Sequence, residues 1–226
     1  MITLFFVSSI VMVVVYRWLP VPVTPLMLIR CQEQVLRGEK MRLKHHWVSL
    51  DEGMTPDLPL AVMASEDQRF LKHNGFDMES ISMAWEERQL GTRYRGASTI
   101  SQQTAKNVFL WPGGGWFRKG LEAYFTMLIE VLWSKHRIME VYLNSIEMGD
   151  GIYGADAVAW QHFGCGAGEL TRANCALIAA TLPNPLRFSS KEPSPYMLRR
   201  QTQIMQQMRN LGRIRWNDEA DEKGKK

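Results

Sequence analysis

The sequence predicts a mainly α-helical fold with one N-terminal transmembrane helix. Three observations carry that expectation. Apolar residues recur at spacings of three and four, as in Leu121, Phe125, Leu128 and Leu132, and again in Ile138, Val141 and Tyr142 with Ser145. Residues that cap or open helices stand just ahead of such stretches: Asp77, Ser98 or Thr99, Thr171 and Pro195. No run of alternating strands, internal repeat or low-complexity tract interrupts the pattern.

Taken in order, residues 1–19 read MITLFFVSSIVMVVVYRWL and carry no charge before Arg17. As a helix this segment is roughly 28 Å long, about the hydrocarbon thickness of a bilayer. Tyr16, Arg17 and Trp18 suit an interfacial belt, and Pro20 and Pro22 end the helix. No small-x-small cleavage site follows, so the segment reads as a retained anchor rather than a signal peptide. Residues 20–50 form a membrane-proximal connector, where Leu26, Met27, Ile29, Val35 and Leu36 predict an amphipathic helix. A globular domain spans residues 51–212. Pro59 suits the first position of a helix reaching Glu66. Asp77 caps Met78 to Leu90, and Ser98 or Thr99 caps a helix running to Val108. Thr171 opens Arg172 to Leu182, which Pro183 stops, and Pro195 opens a last helix to about Leu211. Residues 213–226, ending NDEADEKGKK, form a charged tail expected to be disordered.

With 226 residues, 46% of them hydrophobic, the chain can bury one ordinary core beside the anchor. The net charge of +4 is a mild bias, compatible with anionic lipid or a phosphorylated substrate. It is too small to argue for nucleic acid, and no zinc finger, RNA-binding signature or long basic tract is present. Cys31, Cys165 and Cys175 are odd in number and lack a CxxC pair, which argues against a disulfide framework or zinc site. Gly149 to Gly154 matches GxGxxG, but a helix precedes it and no parallel-sheet pattern surrounds it, so it reads as a tight turn. Gly113-Gly114-Gly115 lacks the Gly-Lys-Ser/Thr of a phosphate loop. No nucleotide cofactor is expected.

Three polar clusters could carry chemistry. Glu66 closes an apolar helix, and a carboxylate at the lip of an apolar wall becomes a better base; the bland alternative is a surface carboxylate paired with Arg69 or Lys72. Ser98, Gln102 and Lys106 share one helical face, with Thr99 and Gln103 beside them. Such a face suits phosphate or sugar oxygens, or is simply solvated. Arg118, Lys119 and Glu122 fit within one helical turn, where Arg118 and Glu122 can pair or two cations can meet an anionic leaving group. Any metal would be Mg²⁺ or Mn²⁺ shared with phosphate, with Glu122 as the candidate ligand.

These residues resemble a known family. The stretches Glu66-Asp67-Gln68-Arg69-Phe70 with His73 and Gly75, Gly96-Ala97-Ser98-Thr99-Ile100-Ser101-Gln102-Gln103 with Lys106-Asn107, Arg118-Lys119 with Glu122, and Lys135 to Asn144 occur in order with sensible gaps. They are similar to monofunctional biosynthetic peptidoglycan glycosyltransferases of glycosyltransferase family 51, the domain also found in class A penicillin-binding proteins. The resemblance covers nearly all of residues 45–210 and the anchor. It implies a lysozyme-like helical large lobe and a small jaw around residues 96–120 that dips into the bilayer. It implies polymerisation of lipid II into glycan strands at a bacterial inner membrane, with the catalytic domain on the periplasmic side. Partners would be lipid II, the growing glycan chain, the bilayer and cell-division proteins. Glu66 matches the catalytic base and Glu122 the second essential acid. Lys106, Arg118 and Lys119, with Ser98, Thr99 and Gln103, match substrate and pyrophosphate contacts. Asp67, Phe70, His73 and Asn107 match positions that shape the cleft.

The sequence departs from the family pattern at Gly114, where many members carry an Arg, and at Asn174, where a Glu is usual. No Ser-x-x-Lys occurs, so cross-linking by a transpeptidase is not expected. The competing readings are a membrane-anchored lysozyme-like hydrolase or lytic transglycosylase, and a non-catalytic scaffold. A neutral glycosidic leaving group would need an acid rather than three cations.

Overall fold

The structure, a computed structural model, describes residues 2–89 and 98–216. Among them are ten α-helices and three very short strands: α1 (Ile2–Tyr16), α2 (Pro25–Leu36), β1 (Lys44–His45), α3 (Asp57–Glu66), α4 (Met78–Gln89), α5 (Ile100–Phe109), α6 (Trp116–Leu132), α7 (Lys135–Ser145), β2 (Glu147–Gly149), β3 (Ile152–Tyr153), α8 (Ala155–Phe163), α9 (Arg172–Thr181) and α10 (Pro195–Leu211). The predicted Leu90, Gly96 and Ala97 lie outside the described residues, as do residues 217–226 of the predicted tail.

The predicted caps sit where the sequence places them. Thr99 opens α5, Thr171 opens α9 and Ser194, just before Pro195, opens α10. Asp77 receives the Ser80 N–H at 3.1 Å and so caps α4. α3 begins two residues earlier than predicted, and Pro59 falls in its first turn, where a missing N–H costs nothing.

Two helix groups build the core. α3 is buried from Leu58 to Ala64 and packs on α9 and α10. Ala176, Ala179 and Ala180 keep α9 thin enough for that approach. α5 packs on α6 and α7, where Phe109 and Phe125 stack with ring centroids 4.6 Å apart and Trp133 lies beside Phe109. α7 is buried on most sides, through Ile138, Met139, Val141, Tyr142 and Leu143.

The connector is folded into this body rather than standing apart from it. The Asn144 side chain accepts from Val48 N–H at 3.0 Å and donates to Val48 C=O at 2.9 Å, imitating a strand partner. β1 runs parallel to β3, and β2 pairs antiparallel on the other side of β3. This sheet was not predicted, because strands of two or three residues show no alternation. The GxGxxG stretch forms the β2–β3 turn, with Gly151 at φ 69°.

The N-terminal apolar segment folds as α1, which has 15 residues and is roughly 22 Å long. Among the described residues no helix is long and apolar enough to cross a membrane. α1 docks on α6 and α7: Ser9 Oγ meets Tyr124 OH at 2.8 Å, Trp133 Nε1 donates to Val13 C=O at 2.8 Å, and Arg137 Nη2 donates to Tyr16 C=O at 2.9 Å. Ile214 and Trp216 pack against the core, because two apolar side chains find apolar surface there.

Gly154 has φ 83° and ψ 163°, a region open almost only to glycine, and an added Cβ would lie 2.6 Å from the Asn144 carbonyl oxygen. Gly154→Ala should lower unfolding stability by about 2–3 kcal/mol, read as a lower denaturant midpoint at unchanged slope.

Candidate active site

The site begins where α3 stops. Asp67, buried at the end of α3, accepts from His73 Nε2 at 3.0 Å and from the Ile100 N–H at 3.1 Å. The Ile100 N–H is one of the orphan donors of the first turn of α5, so a carboxylate there is doubly favoured. His73 Nδ1 accepts from Gly75 N–H at 3.1 Å, and Gly75 C=O accepts from Thr99 Oγ1 at 2.6 Å. Gly75, with φ 88°, lies so close to Thr126 and Glu130 of α6 that a Cβ would strike both. Phe70 is fully buried, with the Lys135 ammonium 4.6 Å above its ring. These contacts join the end of α3 to the start of α5.

That junction sets Glu66 against α5. Gln103 Nε2 donates to Glu66 Oε2 at 3.0 Å, and Ser65 Oγ donates to Oε1 at 3.2 Å. Tyr142 OH donates to Gln103 Oε1 at 3.0 Å, which leaves the Gln103 NH₂ facing Glu66. Burial pushes the Glu66 carboxyl up from the usual carboxylate range, beyond what the Gln103 and Ser65 hydrogen bonds and the charge of Arg200 on α10 pull back. The result is a desolvated carboxylate fit for proton abstraction.

Gln103 also lines a cleft of about 340 Å³ together with Lys106, Asn107, Arg118, Arg30 and Glu147. Apolar walls come from Leu26, Leu110, Ile146 and Leu182. Lys106 has no ion-pair or hydrogen-bond partner among the described residues. Burial lowers its pKa, and Arg118 and Lys119 lower it further, against the pull of Glu122 and Glu66. Arg118 lines both this cleft and a neighbouring hollow of about 260 Å³ formed with Gly115, Trp116 and Lys119. Both cations sit in the first turn of α6, at the positive end of its dipole and without a side-chain cap. An anion is the natural complement there.

Glu122 makes this crowding tenable. It is 3% exposed, and its two oxygens are taken by Arg118 Nη1, at 2.9 Å, and by Lys119 Nζ. Arg118 Nε remains buried without a partner among the described residues. With each oxygen engaged by a cation, Glu122 is placed to hold Arg118 and Lys119. Among the described residues no group of three His, Cys, Asp or Glu could hold an ion.

The remaining candidates divide. Ser98 is exposed and precedes α5. Thr99 is buried as the N-cap, its hydroxyl donating to Gly75 and accepting from Gln102 N–H at 3.2 Å. Gln102 completes the capping box through the Thr99 N–H. The cleft face of α5 is therefore Gln103, Lys106, Asn107 and Leu110, one residue round from the predicted Ser98, Gln102, Lys106 face. Nothing crowds Gly114: a Cβ there meets no atom within 4 Å. Asn174 takes part in the Thr171 cap of α9, away from the cleft. Sequence reasoning missed Tyr142, Arg200, Arg30 and Glu147. Tyr142 left a signal, since a tyrosine on a buried apolar face needs a partner for its hydroxyl.

Comparison with known proteins agrees with this geometry. The family model described as Transglycosylase matches residues 32–209. A biosynthetic peptidoglycan transglycosylase of Bacteroides thetaiotaomicron is 61% identical over 204 residues, covering 90% of this chain and 82% of that protein. Proteins of the same description from Bdellovibrio bacteriovorus and Pseudomonas aeruginosa are 51% and 48% identical, covering 90% and 92% of this chain and 81% and 89% of theirs. The ordered polar motifs, the buried carboxylate beside a cationic cleft and these matches lead to one assignment: the chain belongs to the transglycosylase family.

Proposed function

We propose that this chain is a peptidoglycan glycosyltransferase that polymerises lipid II into glycan strands, and that Glu66 is its base. The growing chain, held through its anomeric pyrophosphate, is the donor, and the 4-hydroxyl of lipid II N-acetylglucosamine is the acceptor. Glu66 takes the hydroxyl proton as that oxygen bonds to the donor anomeric carbon. The bond from that carbon to pyrophosphate breaks, configuration inverts to a β-1,4 link, and undecaprenyl pyrophosphate departs. Lys106 and Arg118 meet the charge that builds on the leaving group, and Lys119 adds to the local potential. Glu122 holds Arg118 and Lys119 in place, so they need little rearrangement as the bond breaks.

The observation that carries this reading is the pairing of a desolvated Glu66 with the cations Lys106 and Arg118 across Gln103. A hydrolase acting on a neutral leaving group has no use for that cation pair. The lipid tail of such a substrate needs apolar surroundings. Trp116 and Phe117, 95% and 75% exposed at the start of α6, together with the exposed apolar side chains of α1, support a membrane-facing surface. On this reading the enzyme acts at the outer face of the bacterial inner membrane and makes strands without cross-linking them.

The direct test is lipid II turnover by the full chain in detergent, with products resolved by size. Wild type should give long strands, and Glu66→Gln should lose roughly 10²–10⁴-fold in rate while staying folded. Cleavage of preformed glycan without polymer would overturn the assignment. Because burial raises the Glu66 pKa, kcat/KM should be full above that raised pKa and fall as pH drops through it, at a higher pH than for an ordinary carboxylate. Glu122→Gln should cost roughly 10²-fold in kcat, by freeing the two cations it holds. Gly114→Arg should fold with an unchanged melting temperature, since its Cβ meets open space, and should bind the pyrophosphate product more tightly.

A further inference from the structure

We infer that Tyr142 is a positioning residue for the reaction, acting on the base through Gln103. The inference rests on the reading of Glu66 as the base and goes beyond it, because Tyr142 touches neither the cleft nor Glu66. Its place is in the middle of α7, fully buried. The hydroxyl donates to Gln103 Oε1 on α5 at 3.0 Å, and Gln103 Nε2 donates to Glu66 Oε2 at the end of α3 at 3.0 Å. A carboxamide can present either end to a neighbour. With Oε1 held by a hydroxyl that donates, the NH₂ end is the one presented to Glu66. Burial and the nearby charges of Glu66 and Asp67 raise the Tyr142 pKa well above its usual value, so the hydroxyl keeps the proton it donates. Three helices thus fix the donor that faces the base.

Other groups around Glu66 are accounted for. Asp67 follows it in the chain, Arg200 approaches from α10, and Lys106 stands one turn beyond Gln103 on α5. On the α9 side Ser65, which bonds Glu66, also approaches the Ala179 carbonyl at 3.4 Å. Arg172 of α9 is paired with Asp57 at the opposite end of α3. None of these groups holds the Gln103 amide. A hydrogen bond from that amide favours the charged form of Glu66. Losing it, or letting the amide turn, raises the pH at which the base becomes active.

The test is the pH profile of kcat/KM for wild type, Tyr142→Phe, Gln103→Leu and the double variant on lipid II, with Glu66→Gln run alongside. In Tyr142→Phe the acid limb should move to higher pH, with a loss of roughly tenfold below the limb, recovery above it and little change in KM. Gln103→Leu should move the limb the same way, and the double variant should move it no further than Gln103→Leu alone. A limb unmoved in folded Tyr142→Phe, or shifts that add in the double variant, would overturn the inference. Should Tyr142→Phe not fold, the double variant carries the test, since it leaves no amide oxygen unpaired. A further shift in it overturns the inference, and so does a wild-type limb in Gln103→Leu alone, since the amide would then not act on the base. Full activity in Glu66→Gln would instead sink the assignment of the base, a separate failure.

Discussion

The placement of Glu66 against α5 depends on the buried carboxylate of Asp67. It receives the His73 imidazole and the first backbone N–H of α5 together. In doing so it ties the end of α3 to the start of α5, and Gly75 and Thr99 close the same knot from the other side. A buried charge is tolerated only when its hydrogen-bonding capacity is used, and here the partners are fixed parts of two elements. The position of Glu66 against Gln103 follows from that junction. A chain without the knot would have the same residues but no reason to hold the base one hydrogen bond from the cleft.

The site separates two electrostatic tasks along one helix. At Gln103, neutral donors face a desolvated carboxylate and leave it basic. One turn on, Lys106 faces Arg118 and Lys119, cations that would repel one another without Glu122. The pairs of Glu122 with Arg118 and Lys119 keep positive charge concentrated and oriented, since a buried carboxylate paired in this way adds little to stability on balance. Arg118 Nε, buried and without a partner among the described residues, is consistent with a site completed by an anion.

Much of this was legible in the sequence, for identifiable reasons. The capping residues Asp77, Thr99, Thr171 and Ser194-Pro195 announce helix starts because their side chains satisfy donors the backbone leaves open. Glu66 and the Arg118-Lys119-Glu122 turn stood out because charge beside apolar residues demands a partner. The register of α5 was not legible. Whether Gln102 or Gln103 faces the cleft depends on which residue caps, and the Thr99–Gln102 box consumes Gln102. The three strands are too short for periodicity to show. Tyr142 was read as core because its apolar face fits the spacing, and only its hydroxyl argued otherwise.

The measurement that tests the account most directly is binding of undecaprenyl pyrophosphate to the full chain in detergent, wild type against Lys106→Met. The account places the leaving group on Lys106 and Arg118, so removing the Lys106 charge should weaken binding by roughly tenfold or more. The loss should shrink as salt is raised, as expected for a partly screened charge contact. Equal affinity in the two proteins at low salt would contradict the assignment of this cleft to the pyrophosphate, and with it the polymerase reading of the site.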